Sequence, residues 1–329
     1  MPLKKLGILI LLLTTLNRVR AQGVPAATGA QDSVTAYASP FTDQLRRTVV
    51  FLRVGFTKEG RDWEIVGTGF FVMYPDERLG KDGSFMYLVT NRHMAVPGSE
   101  EGHSYPVKYS YVRLNARRLT GGRESFEIPL TSEPSLWVIP EDPSVDLAII
   151  PVNMSRVDAE FQTIPVSVIA TRDVVQTQQI VAGDQVLFAG YFYQFPGKKR
   201  IEPIVREGIL AMLPEEPIGT TLQKPGNVYL ADIHAFHGNS GSPIFVNTGG
   251  LRAGQVGASR FLLLGVVSGY YPESETDFSI PAARILSGEV HDNSGVTVIV
   301  PGDEIKALLD IPALKRAREV GIENFLKKK

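Results

Sequence analysis

Three short segments of this sequence hold side chains that together can move a proton and make an acyl bond. The first, Tyr87-Leu88-Val89-Thr90-Asn91-Arg92-His93, is an apolar run that ends in an imidazole. The second, Asp146-Leu147-Ala148-Ile149-Ile150, sets a carboxylate directly before another apolar run. The third, His237-Gly238-Asn239-Ser240-Gly241-Ser242-Pro243, puts a serine close between glycines, where the backbone must turn sharply and admit a near neighbour. A serine hydroxyl is a poor nucleophile until an adjacent imidazole takes its proton. A carboxylate on the other ring nitrogen fixes the tautomer and stabilises the imidazolium. The oxyanion formed on attack needs preorganised donors, which the backbone N–H groups of Gly238 and Ser240 can supply. Taken singly, His93 reads as a packed or surface histidine, Asp146 as a loop end and Gly-Asn-Ser-Gly as a tight turn. Occurring together, in this order and each at the edge of a strand-like run, they read as one constellation.

Such a constellation needs rigid strands to hold it, and the sequence around it is strand-like. Runs rich in Val, Ile, Phe and Tyr, separated by turn chemistry, lie at 48–54, 67–73, 86–90, 109–114, 127–130, 136–139 and 147–152. After a linker-like stretch at 154–170 the texture resumes at 185–189, 201–213, 227–232, 242–246, 261–268 and 295–301. Two similar sets of short strands imply two all-β units, with no sequence repeat between them. The end of the chain differs. Pro301-Gly302-Asp303-Glu304 and Pro312 each open a segment with apolar residues three and four apart, which predicts amphipathic helices over 305–309 and 313–326.

The composition sets the bounds. The chain has 329 residues, 43% hydrophobic and 21% charged, enough to bury one large core or two smaller ones. A net charge of -1 gives no electrostatic reason to expect nucleic acid as a partner. The absence of cysteine removes a thiol nucleophile, a thiolate zinc site and lipid attachment to cysteine. No cofactor is expected, and no metal-ligand cluster is evident. At the N-terminus, Lys4 and Lys5 precede an apolar run at 6–16, followed by Val19-Arg20-Ala21. That is the pattern of a secretory signal cleaved after Ala21, too short to span a bilayer. The expectation is therefore an exported protein, periplasmic or secreted, with no stable membrane span after cleavage. Residues 22–45, rich at first in Ala, Gly, Thr and Ser, read as a flexible leader.

These motifs resemble those of the trypsin/chymotrypsin-like serine peptidases, over about residues 50–309. Gly67-Thr68-Gly69-Phe70-Phe71-Val72 is similar to the strand before the histidine in the bacterial branch. Thr90-Asn91-Arg92-His93 and Asp146-Leu147-Ala148-Ile149-Ile150 are similar to the segments carrying the family's histidine and aspartate. Gly238 to Pro243 resembles the nucleophile loop, in the form found in bacterial glutamyl endopeptidases and Deg/HtrA-type proteases. Gly265-Val266-Val267-Ser268-Gly269 resembles the strand that pairs with substrate backbone.

The resemblance implies an all-β, chymotrypsin-like fold of two six-stranded antiparallel β-barrels with a C-terminal helix or helices. The first barrel would span 46–160, the second 161–302 and the helical segment 303–329. His93 and Asp146 would come from the first barrel and Ser240 from the second, as a catalytic triad with Gly238 and Ser240 as the oxyanion hole. By the same carry-over, His234 lies where the pocket floor is decided, with Ala235, Phe236, His237, Ser268, Gly269, Tyr270 and Gly295 around it. A histidine floor argues against a preference for Lys or Arg. Acidic residues are favoured if His234 faces the pocket, and small or apolar ones if it points into packing. Asn239 stands where trypsin has the aspartate that receives the freed N-terminal amine, so activation through that ion pair is not expected. No segment after the barrels is large enough for a PDZ module. The function expected is that of an exported serine endopeptidase acting on peptides or proteins. The alternative is a catalytically silent double-barrel module that binds them, and a third reading is a structural β-protein whose turn imitates the motif.

Overall fold

The computed structural model describes residues 17–18, 41–80, 83–120, 123–155, 157–252, 255–257, 260–272 and 293–327. The predicted signal and leader therefore lie outside the described residues, apart from Asn17–Arg18 and the residues from 41 onward. The first two form a short strand against Gly83 and Ser84, and helix Phe41–Thr48 stands at the end of the expected leader.

The first half is a nine-stranded sheet. Val49–Lys58 turns into Arg61–Pro75 through Glu59 and Gly60, both at positive φ, which gives the two-residue hairpin its favoured twist. Arg61–Pro75 then pairs with Gly83–Thr90, and that strand with Ala148–Val152. Val107–Thr120 and Arg123–Pro129 extend the other edge of the sheet. This half has more strands than the six expected, because short pairings attach to its rim. One of these, Ile164–Pro165, runs parallel to Val72 and Met73, so the first sheet draws on residues beyond 160.

The second half closes into a six-stranded barrel made of Gln185–Gly190, Ile204–Met212, Tyr229–Asp232, Asn293–Pro301, Phe261–Pro272 and Pro243–Asn247. Closure leaves the barrel without a free sheet edge. Helices Gly302–Leu309 and Pro312–Leu326 follow as predicted.

Three large buried clusters hold the body together. One fills the first sheet, around Leu52, Phe71, Leu88 and Trp137. One fills the barrel, around Phe188, Leu210, Ile244 and Leu264. The third spans both halves, joining Phe70, Tyr87 and Ile149 to Leu187, Phe245 and Leu263, and receives Leu308, Leu314 and Ile322 from the two C-terminal helices. A shared apolar core of this kind fixes the halves relative to one another, as residues at their seam require. No helix among the described residues is long and apolar enough to cross a membrane.

Candidate active site

His93 and Asp146 are brought together by strand register. Gly83–Thr90 and Ala148–Val152 are antiparallel with Thr90 opposite Ala148, so the residues just past one strand meet those just before the other. A short helix, Arg92–Ala95, then turns the imidazole toward the carboxylate. His93 Nδ1 lies 2.9 Å from Asp146 Oδ2, and the His93 backbone N–H donates to Oδ1 at 3.1 Å. Asn91 Nδ2 donates to the Asp146 carbonyl at 2.9 Å, locking the two segments. Since an ionised carboxylate only accepts, the proton of the neutral imidazole sits on Nδ1 and Nε2 keeps its lone pair. That nitrogen is buried and has no hydrogen-bond partner among the described residues.

Both side chains are 1% exposed. Burial works against the imidazolium, but the charge and hydrogen bond of Asp146 outweigh it and hold His93 above its ordinary value. Burial likewise works against the Asp146 carboxylate. The imidazole and the hydroxyl of Ser268, which donates to Oδ2 at 2.6 Å, outweigh it and hold the acid below its usual range. A second carboxylate, Glu100, carries a buried oxygen without a hydrogen-bond partner among the described residues. Desolvation pushes Glu100 up, while its charge adds to that of Asp146 in favouring the imidazolium.

The serine comes from the turn before Pro243–Asn247. Gly241 has φ 85, and a Cβ there would sit 1.9 Å from the Thr68 carbonyl oxygen, so only glycine fits. Thr68 clamps this turn to the first sheet. Its N–H donates to the Ser240 carbonyl at 2.8 Å, and its hydroxyl donates to the Gly238 carbonyl at 2.8 Å while accepting from Tyr191 N–H at 2.9 Å. The Asn239 side chain accepts from Phe236 N–H at 2.7 Å and donates to the Tyr191 carbonyl at 2.8 Å. A neutral amide thus pins the loop from within. The backbone N–H groups of Gly238 and Ser240 make no hydrogen bond among the described residues. Ser240 Oγ donates to the Ser268 carbonyl at 3.2 Å, and its bond to His93 Nε2 is not formed in this structure.

A family model for the trypsin-like peptidase domain matches residues 67–253, more than half of the chain. The chain belongs to the trypsin-like peptidase family. No curated protein matches it. Among solved structures it is similar to a variant of the HtrA-type protease AlgW with a tripeptide, at 17% identity and a TM-score of 0.44, covering 84% of this chain and 62% of that one. Deg5 shares 19% identity, over 64% of this chain and 82% of that one, with a TM-score of 0.39. The active form of the Rv3671c protease from M. tuberculosis shares 18%, over 87% and 93% of the two chains, with a TM-score of 0.44. The chain thus spans less than two thirds of the first of these proteins.

In this member of the trypsin-like peptidase family the residues expected around the pocket divide into two groups. His234, Ala235 and Gly295 are together. A Cβ on Gly295, at φ 81, would stand 3.0 Å from the His234 ring, so the glycine makes room for the imidazole. His234 is exposed, with its ring 6.2 Å from that of Phe236, whereas Ala235 is buried. His237 lies edge-on to Tyr193 at 5.1 Å beside the serine turn. Gly269 and Tyr270 continue the strand opposite Val298 and Thr297. The Ser268 side chain turns to Asp146 and not to His234, while its carbonyl faces Ser240 Oγ. Residues 273–292, between the two strands at this wall, lie outside the described ones. Thr68 and Thr221, whose hydroxyl lies 2.5 Å from that of Ser268, escaped the sequence reading. Thr68 had a signal in its Gly-Thr-Gly setting; Thr221 had none. Among the described residues no cluster of His, Asp and Glu could hold a metal ion.

Proposed function

We propose that this protein is a serine endopeptidase that cleaves peptide bonds through an acyl-enzyme on Ser240. The observation that carries the reading is the buried Nδ1–Oδ2 bond of His93 and Asp146, which leaves Nε2 as a base within the serine's fold neighbourhood. In the reaction Ser240 Oγ attacks the substrate carbonyl and passes its proton to Nε2. The backbone N–H groups of Gly238 and Ser240 receive the oxyanion. His93 then gives the proton to the leaving amine, and a water activated by the same nitrogen releases the acid. Asp146 stays ionised throughout, holding the tautomer.

His234 replaces any acid at the pocket floor, so a Lys or Arg side chain finds no counter-charge there. The side chain entering this pocket is acidic or uncharged. The charged, apolar and small-residue pattern from Lys4 to Ala21 supports export and action outside the cytoplasm.

One observation favours a second reading, that of a latent or silent form. Ser240 and His93 are each 1% exposed, and the hydroxyl faces the Ser268 carbonyl. The test is covalent labelling of the purified chain with a fluorophosphonate, beside Ser240→Ala. Labelling that vanishes in the variant supports the peptidase. A folded wild type that does not label counts against it and favours the latent or silent form.

A further inference from the structure

A hairpin made of Ile218–Gly219 and Pro225–Gly226 reaches from the second half to the carboxylate of the first. Its tip is tightly closed. Gln223 N–H donates to the Thr220 carbonyl at 2.9 Å, Thr220 N–H donates to the Lys224 carbonyl at 2.9 Å, and Gln223 takes φ 56. Both halves of the molecule grip it. Leu222, 3% exposed, is buried in the first-sheet core with Leu52, Met94 and Trp137, and Tyr271 donates its hydroxyl to the Gly219 carbonyl at 2.7 Å. Between these anchors Thr221, 2% exposed, points its hydroxyl at Ser268.

The direction of that contact follows from counting protons. Ser268 has one hydroxyl hydrogen, and at 2.6 Å from Asp146 Oδ2 it is committed to an acceptor-only carboxylate. In the 2.5 Å contact with Thr221 the Ser268 oxygen must therefore accept and Thr221 must donate. Thr221 donates to Ser268, Ser268 to Asp146, and His93 Nδ1 to the same carboxylate oxygen. Each donation polarises the next, so Thr221 strengthens the hold of Ser268 on Asp146.

We propose that Thr221 is a positioning residue for the reaction, through which the hairpin sets how firmly Asp146 holds His93. The inference rests on the reading of His93, Asp146 and Ser240 as the catalytic residues. If the Thr221 hydroxyl is removed, Ser268 takes less of the carboxylate's charge and more is left to attract the imidazolium, so the proton affinity of His93 rises. Mere loss of packing would loosen Asp146 from His93 and do the opposite. Among the described residues the charged groups facing this pair are Glu100 toward His93 and Arg92 toward Asp146, and neither is changed by the variants.

The test is an NMR pH titration of the His93 ring, assigned by its loss in His93→Ala, in wild type, Thr221→Val and Thr221→Ser. Thr221→Val raises the proton affinity by about twofold to fourfold, a cooperative fraction of one charge-assisted hydrogen bond. Thr221→Ser titrates as wild type. The acid limb of kcat/KM moves upward in step, with KM unchanged. Should the valine variant not fold, Thr221→Ala carries the same expectation. An unchanged or lowered affinity in the folded variant, or a serine variant that behaves like valine, overturns the proposal. The titration reads His93 whether or not the protein hydrolyses anything, so a failure of the peptidase reading, seen as absent fluorophosphonate labelling, is distinguishable from a failure of this one.

Discussion

Changing Asn239 to Asp replaces one atom group and tests how the serine turn is held. The side chain is 1% exposed and lies between a donor, Phe236 N–H, and an acceptor, the Tyr191 carbonyl. An ionised carboxylate in its place keeps the first bond but faces Tyr191 with lone pair against lone pair, and among the described residues no Lys or Arg ion pair reaches the turn. A protonated carboxyl restores both bonds. Burial and the lost donor therefore raise the introduced group's pKa in the folded state above its unfolded value of about 3.9. A raised acid pKa means that the folded state binds the proton more tightly. The stability of the variant is then full below about pH 4 and falls as pH rises toward the folded value. If burial carries that value to about 7, roughly three units at about 1.4 kcal/mol each give a loss of about 4 kcal/mol at neutral pH. Urea unfolding of the variant and wild type between pH 4 and 8 measures this, with the two curves meeting at the acid end and parting toward neutrality. A variant as stable as wild type at pH 7 would refute the reasoning, because it would mean that a cation reaches the loop from elsewhere in the chain.

Two further expectations follow from groups already described. Glu100 adds negative charge beside His93, so Glu100→Gln lowers the imidazole's proton affinity and moves the acid limb of kcat/KM to lower pH, as a pH–rate profile will show. Arg318, 5% exposed, donates to the Tyr87 hydroxyl at 3.0 Å and to the Leu309 carbonyl at 2.9 Å. Replacing it with Met strands both acceptors in the core and costs about 2–4 kcal/mol in urea unfolding, with little change if the bonds carry no weight.

What the sequence made legible was whatever is encoded locally. Gly238 and Gly241 marked the serine turn because their backbone conformations exclude other residues, and the apolar runs beside His93 and Asp146 marked two strands. The pairing that joins them is non-local, yet it could be anticipated from family resemblance. Ser268 was visible as part of a strand motif but was assigned to the pocket, because nothing in the sequence says toward which side of a bulged strand its hydroxyl turns. The bulge lies between Val267 and Gly269, where the register against Ile299 and Val298 shifts. Thr221 was illegible for a stronger reason. It lies 47 residues from Ser268, in a stretch of Pro, Gly and Thr that reads as an ordinary loop until the hairpin is folded across the seam. The rim strands of the first half were missed likewise, since pairings of two residues leave no periodicity to detect.

The strand Gly83–Thr90 has a different partner at each stage of its length. In its middle Tyr87 receives Arg318 from the last helix, and at its end Thr90 donates its hydroxyl to the Thr68 carbonyl before the chain turns into His93. The C-terminal helix at Tyr87 and the Thr68 clamp at Thr90 are thus fastened to the same strand, about three residues of rise apart, just before the chain turns into His93. Releasing Arg318 therefore removes one of the fastenings of the strand that leads into His93. Arg318 stands in the middle of Pro312–Leu326, so it is the body of the helix, and not its last turn, that the strand leans on.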